Sequence, residues 1–450
     1  MNIVRRLFLV SLFFASLFLF SCATKPQQPV SPQTEQAEPD LQQTERTQTV
    51  EQQKSQEKTD SETEKQSETA VEETTEEEIE KQAEPVPADL VLNTVFAGDI
   101  MAHDENFSMK KPFSAIWEGV KQYVSGTDLA FANIEAPVYD EKDWQSYPTF
   151  NMKSEYVEEA IKTGFNVFSL ANNHTNDQGV DGMKATYSYF KRREAETKDS
   201  ERAIYSAGVK PSADAPLTYQ VIEKDGWTVL FVAVTEVLNS FKGSSYIDYV
   251  SPTEEARAGF IKKLSSLRAE HPCDLFVVSV HCAEPEYVRL VMPSQRAYYY
   301  KLLNEAGADI VWANHPHVAK VWDIVGNLQT EKTDKMIMYA LGNTISGQRR
   351  DPQFTAPETA RDYTGDGFFI QVKFVKKYNE ETQRYEKCEI EAVNPVLITT
   401  YIDRDGDYIL KTLNPDLIKT LKREGDEKWA SYLEKRMNLM NDTKGTVLWH

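Results

Sequence analysis

Asn166-Val167-Phe168-Ser169-Leu170-Ala171-Asn172-Asn173-His174 is a short apolar run that stops abruptly in three polar residues. The run is too short for a helix and carries the residue types of a buried strand. In an α/β sheet the carboxyl end of such a strand is where side chains meet a ligand. The same pattern recurs along the chain. Apolar runs at 90–97, 128–132, 227–234, 275–280, 310–313 and 336–341 end in Gly98-Asp99, Asn133-Ile134-Glu135, Thr235-Glu236, His281, Asn314-His315-Pro316-His317 and Gly342-Asn343. Helix-like segments at 112–123, 154–162, 180–192, 253–269 and 293–305 separate them. Strands alternating with helices predict a layered α/β domain with strands in part parallel.

The strand ends carry at least two carboxylates, several amides and four of the seven histidines. Asp, Glu, Asn and His are the oxygen and imidazole ligands suited to Mn, Fe, Zn or Mg, with no thiolate required. A carboxylate can bridge two cations, and two ions about 3.5–4 Å apart can clamp a displacement at phosphorus. His315 and His317 stand two apart, so on an extended strand they would face the same way. A single histidine is more often a hydrogen-bonded core residue. It is their number at strand ends that points to a site.

The remainder of the chain narrows the function classes. Across 450 residues, 50 Lys plus Arg against 70 Asp plus Glu leave a net charge of −20. An acidic protein of this size disfavours a nucleic-acid partner. Four cysteines exclude a disulfide-built scaffold. Residues 1–22 pair Arg5 and Arg6 with an apolar stretch ending in Ser21-Cys22, the layout of a secretory signal. With Cys at the boundary it resembles a bacterial lipoprotein signal, which makes Cys22 the expected lipidation site and the membrane a partner through that lipid. Residues 23–88 hold 17 acidic and 6 basic side chains among Gln, Thr, Ser and Pro. Too apolar-poor to offset their ordering entropy, they read as a disordered stalk. The folded part is expected over 89–400, with a C-terminal extension over 401–450.

Taken in order, Gly98-Asp99-Ile100-Met101, Asn133-Ile134-Glu135, Ser169 to Asp177, Gly307-Ala308-Asp309-Ile310-Val311 with His315-Pro316-His317, and Tyr339-Ala340-Leu341-Gly342-Asn343 resemble the CapA family. These are bacterial capsule or poly-γ-glutamate synthesis proteins within the calcineurin-like metallophosphoesterase superfamily. The resemblance implies a two-sheet αββα sandwich, here followed by a C-terminal β-hairpin and helical extension. It implies divalent metal ions, two of Mn, Fe or Zn. Asp99 would bind the first metal with His317, Glu135 would bridge, and Asn173, His281 and His315 would bind the second. His174 would stand beside them as proton donor or charge stabiliser, and Asp177 would orient it. Gly98 and Gly342 would serve turns close to the metals. Met101 stands where the wider superfamily usually has His, which makes His103 a candidate substitute ligand. Cys282, beside His281, reads as a small buried residue.

Two readings of the job follow. One is a surface-tethered, metal-dependent phosphoesterase-like hydrolase acting in capsule or poly-γ-glutamate biosynthesis at the cell envelope, facing periplasm or exterior. The other is a non-hydrolytic factor that binds or guides an anionic envelope polymer in the same crevice. A purely structural lipoprotein does not explain the converging ligands. The loops at 141–152, 239–251 and 347–365 are expected to shape the substrate site. Asp403-Arg404-Asp405-Gly406-Asp407 is read as a hairpin turn between 397–402 and 408–413, not as a calcium loop, because the distal Glu is missing.

Overall fold

A computed structural model of the protein describes residues 86–450. The expected signal sequence with Cys22, and all but the last three residues of the expected stalk, lie outside the described residues. Strands in chain order are β1 Leu90–Ile100, β2 Leu129–Ile134, β3 Val167–Ser169, β4 Tyr205–Ala207, β5 Tyr219–Lys224, β6 Trp227–Thr235, β7 Leu275–His281, β8 Ile310–Asn314, β9 Trp322–Asn327, β10 Lys332–Met338 and β11 Asn343–Ile345. They continue with β12 Asp366–Lys376, the small pair β13 Tyr378–Asn379 and β14 Arg384–Tyr385, then β15 Glu389–Ile402, β16 Tyr408–Thr412 and β17 Gly445–Trp449. Helices are α1 Asp104–Phe107, α2 Ser154–Thr163, α3 Gly179–Thr197, α4 Glu254–Glu270, α5 Pro293–Asn304, α6 Ala360–Tyr363, α7 Pro415–Arg423 and α8 Glu427–Met440.

The strands form two large sheets. The first runs β16-β15-β12-β1-β2-β3-β4, with β11 beside the end of β1; the second runs β17-β9-β10-β8-β7-β6-β5. β1 to β4 are parallel in the first, and β6, β7, β8 and β10 in the second. Side-chain alternation explains the layering. In β6, Trp227, Val229, Phe231 and Ala233 face the core between the sheets, whereas Leu230, Val232 and Val234 face α4 and α5. β7, β8 and β10 divide their side chains in the same way. On the other side, α2 and α3 cover the first sheet. The result is the αββα arrangement that the resemblance implies.

Aromatic rings join the two sheets. Phe96 stacks on Phe131 at 4.5 Å, and Phe131 meets Phe231 and Trp312 edge-on at 5.7 and 6.0 Å. Burying each ring contributes about 2–3 kcal/mol. The Trp312 indole N–H donates to the Ala97 carbonyl at 2.9 Å, so a strand of one sheet is bonded directly to the other.

Some elements depart from the sequence reading. Segment 112–123 is two short 3₁₀ turns, Phe113–Ile116 and Lys121–Tyr123, not one helix. Ile116, Trp117 and Val120 are drawn into the core, and Gly119 lies so close to β16 that a Cβ there would meet the Leu410 carbonyl at 2.5 Å. Tertiary docking overrides helical period. The run at 336–341 leaves the sheet after Met338, and β5, β9, β12 and β17 were not expected at all. Gly98 lies inside β1, not in a turn. A Cβ there would strike the Gly342 carbonyl at 1.8 Å, because the chain before β11 crosses directly over it. Gly342, by contrast, is in a turn, with φ +77°.

At the C-terminus β15 and β16 form the expected hairpin. Asp403, Asp405 and Asp407 gather around the Lys111 ammonium, so this acidic group already has a cation from its own chain. α7 and α8 pack on the hairpin around Trp429, Tyr432 and Leu433. Beneath them Asp366 is buried between two buried arginines, accepting 2.7 Å hydrogen bonds from Arg349 and Arg436. Among the described residues no helix is long and apolar enough to cross a membrane. Among the described residues Cys273, Cys282 and Cys388 form no disulfide.

Burial alone would raise the Asp366 carboxyl, but the guanidiniums of Arg349 and Arg436, with a hydrogen bond from Thr399, outweigh it and hold it below its ordinary value. A depressed folded value means that this carboxylate stabilises the fold above the unfolded value near 3.8 and loses that contribution as pH falls further. Asp366→Asn leaves two buried guanidiniums without their anion. It is expected to cost about 3–5 kcal/mol in urea unfolding at pH 7, with the gap to wild type narrowing below pH ~4.

Candidate metal centre

The carboxyl ends of the parallel strands of both sheets meet at one edge of the sandwich. Register places Asp99 beside Asn133 in the first sheet and His281 beside Asn314 in the second. Asn133 bridges the two, donating to Asp99 Oδ1 at 2.8 Å and lying 3.4 Å from His281 Nδ1. Asn172 holds Asn133 in turn, and donates to the Ile134 carbonyl at 2.7 Å.

Two groups of ligand atoms share Glu135. In one, Glu135 Oε1 lies 3.5 Å from His281 Nε2, which is 2.7 Å from Asn173 Oδ1 and 3.2 Å from His315 Nδ1. In the other, the opposite edge of His317 faces Glu135 at 3.7 Å while its Nδ1 lies 3.3 Å from Asp99 Oδ2. Asn343, expected only as the polar end of a strand, places its side-chain oxygen 3.0 Å from the same Nδ1.

The histidine pair of the His-Pro-His turn does not lie on an extended strand as expected. β8 ends at Asn314, and both residues adopt left-handed backbone, φ +103° at His315 and +56° at His317. Such conformations cost about 1–3 kcal/mol each and persist where the surroundings over-determine them. Here the surroundings are a segment that sequence reading left without a role. The Tyr287 N–H donates to the Pro316 carbonyl at 2.8 Å, and the Tyr287 ring stacks on His317 at 6.0 Å. Behind it, buried Lys320 donates to Glu284 at 2.7 Å, and Glu284 accepts the Met292 N–H at 2.6 Å. Only the folded chain brings these together.

Electrostatics set the chemistry of the centre. Burial, then the charges of Asp99 and Glu286, push the Glu135 carboxyl well above its ordinary value. Burial likewise works to raise Asp99, but the hydrogen bond and charge from His317 outweigh it and hold it low. Burial pushes His281 down to about 3 and His315 well below its ordinary value, so both imidazoles are neutral. Glu135 is wholly buried, and neither of its oxygens has a hydrogen-bond partner. A buried carboxylate without donors, faced by neutral imidazoles and an amide oxygen, is a donor set that fits a divalent cation.

His174 stands beside this centre. Its Nδ1 is 2.7 Å from Asp177 Oδ2, and Asp177 is anchored by the Phe150 N–H at 2.7 Å. Asn239 approaches the same ring nitrogen at 3.3 Å, and the Phe150 ring meets His174 edge-on at 4.7 Å. His103 is absent from both ligand groups. Its Nδ1 accepts the Gly347 N–H at 3.2 Å, so the neutral ring carries its proton on Nε2 and lines the cavity as a donor. Burial raises the Cys282 thiol to about 12, and its side chain belongs to the outer core. The cavity over the centre measures about 830 Å³, and all three expected loops line it, through Tyr147 and Phe150, Asn239, and Arg350 and Arg361.

The layered fold and the twinned His-carboxylate pocket define a two-sheet α/β sandwich protein with a candidate divalent-metal centre. A family model described as "Bacterial capsule synthesis protein PGA_cap" matches residues 93–348, and the chain belongs to that family. It is 29% identical over 271 residues to "Capsule biosynthesis protein CapA" of Bacillus anthracis, covering 57% of this chain and 60% of that one. It is 28% identical over 268 residues to "PGA biosynthesis protein CapA" of Bacillus subtilis (strain 168), covering 58% of this chain and 65% of the relative. The matches thus span less than two thirds of these relatives. Among solved structures, a hypothetical protein from Thermus thermophilus aligns at TM-score 0.37 and 17% identity, over 68% of this chain and 98% of that one. A putative 5'-nucleotidase from Staphylococcus aureus aligns at TM-score 0.37 and 12% identity, over 70% and 56%.

Replacing Glu135 separates its two effects. Glu135→Leu removes a buried carboxylate without partners, so the metal-free protein is expected to gain about 1–3 kcal/mol. The rise in melting temperature that Mn or Zn gives wild type should vanish in the same variant, because ligand stabilisation requires the site. Differential scanning calorimetry with and without metal reads both.

Proposed function

We propose that this protein is a cell-envelope lipoprotein, anchored through Cys22, that acts as a metal-dependent phosphoesterase-like hydrolase in the synthesis of capsule or poly-γ-glutamate. The family and the relatives' names support the biological setting. The observation that carries the chemistry is Glu135, buried, without hydrogen-bond partners and common to two ligand groups. In this reading Asp99, Glu135 and His317 hold one divalent ion, and Glu135, Asn173, His281 and His315 hold the other. When bound, Mn, Fe or Zn supplies Lewis-acid polarisation of a phosphoryl group and a source of hydroxide near neutral pH.

The chain's own residues do the remainder. With Nδ1 turned to Asp177, His174 presents Nε2 to the cavity, where it passes a proton to the departing alkoxide. Asp177 fixes the tautomer and stabilises the charged ring, while Phe150 excludes water from one edge. Asn133 and Asn343 hold Asp99 and His317 in place, a role that second-layer hydrogen bonds commonly play around metals. The partners in this reading are the membrane and a phosphoester or anionic polymer, with nucleic acid disfavoured by the acidic charge.

Elemental mass spectrometry after metal loading, joined to hydrolysis of bis-p-nitrophenyl phosphate, tests this. Wild type should hold about two ions per chain. His174→Ala should keep them while losing about 10²–10⁴-fold in turnover. A protein that takes up no metal, or a His174→Ala variant as active as wild type, would overturn the hydrolase reading in favour of a polymer-guiding factor.

A further inference from the structure

The cavity is far larger than a phosphate group needs; its volume of about 830 Å³ is that of a site for a sizeable ligand. The metal centre occupies one end. Glu286 lies between that end and the outer one, since its charge acts both on Glu135 and on the Tyr287 hydroxyl. Cationic side chains lie further out. Arg350 has Glu105 for a partner at 3.3 Å. Asp351 also lines the cavity, but among the described residues no carboxylate comes within ion-pair distance of Arg361, whose side chain is exposed.

Arg361 is nevertheless held in a defined place. Its guanidinium lies over the Tyr287 ring at 4.4 Å and donates to the Tyr287 hydroxyl at 3.1 Å. Tyr287 in turn stacks on His317 at 6.0 Å. These two distances share one ring, so the guanidinium lies within about 10 Å of the His317 ring. From behind, α6 is clamped by the C-terminal helices. Thr359 and Asp362 cap it reciprocally, the Tyr432 hydroxyl donates to Asp362 at 2.6 Å, and the Arg436 guanidinium packs on Tyr363 at 4.0 Å. A cation with no carboxylate within ion-pair distance among the described residues, stacked on an aromatic ring and carried by a helix held through buried contacts, has already lost freedom that binding would otherwise remove.

We propose that Arg361 receives a second oxyanion on the substrate, a carboxylate or a further phosphate carried within about 10 Å of the phosphoryl group at the Glu135 centre. This rests on the phosphoester reading above and extends it: the preferred substrate is a phosphoester that bears a remote anionic group. Arg361 lies beyond 93–348, the part matched by the family model, in the 347–365 loop expected to shape the substrate site.

The test uses the full chain loaded with Mn and isothermal titration calorimetry of three alkylphosphonates, which cannot be hydrolysed because a P–C bond stands where the ester P–O bond would be. Their flexible arms, long enough to span the distance, end in a methyl, a carboxylate or a second phosphonate group, the last standing for a phosphate. Wild type should bind at least one charged arm tenfold or more tightly than the methyl arm, and the arm that gains identifies the oxyanion. Arg361→Gln should bring the charged arms to the affinity of the methyl arm and leave the methyl arm unchanged. Equal binding of all three arms by wild type would overturn the proposal while the phosphoester reading stands, as would an equal loss on all three in the variant. No binding of any probe would overturn both.

Discussion

Glu135 is a carboxylate placed at the meeting of two sheets, and among the described residues neither of its oxygens has a hydrogen-bond donor. In an interior of this kind an isolated negative charge is costly, and the nearest groups are imidazoles, those of His281 and His315 held neutral by burial, not an arginine or lysine. That choice leaves the charge to be met by a cation from outside. Much of the surrounding architecture follows from it: Asn133 spans the sheets, Gly98 lets the chain before β11 close over β1, and the His-Pro-His turn is held in strained backbone.

Strain at His315 and His317 has to be balanced by packing elsewhere. The segment from Cys282 to Met292 does this from one side, through the Tyr287–Pro316 hydrogen bond and the buried Glu284–Lys320 pair. From the other side the C-terminal helices brace α6, which borders the cavity beside Tyr287. The centre is thus supported from two directions by parts of the chain far apart in sequence, and the residues that provide the support carry the walls of the cavity with them.

The inner part of this arrangement is legible in the order of residues alone. Short apolar runs ending in Asp99, Glu135, Asn173, His281, His315 and His317 are visible because a strand's end and its ligands are neighbours in sequence. The pairing of His174 with Asp177 is visible for the same reason, three residues apart in one loop. What escapes is whatever depends on contact across the fold. The particular roles of Tyr287, Asn343, Asn239 and Arg361 have no local signal, because they arise from neighbours tens of residues away. The 3₁₀ turns at 113–123 escape because Gly119 answers to the Leu410 carbonyl, not to its own sequence context.

The sequence by itself indicated the layered α/β domain and the candidate inner ligands, because alternation along strands, the polar ends of apolar runs and the motifs that carry the resemblance are local properties written at short range. Only the tertiary structure decided how closely the candidate ligands gather, how the His-Pro-His turn points both rings at Glu135, and which arginine at the cavity's outer end has no carboxylate within ion-pair distance among the described residues. Those depend on the registers of two sheets and on a C-terminal helix packed against a loop some 70 residues earlier. Distances of that kind are set by the packing of the whole domain, and no local pattern records them.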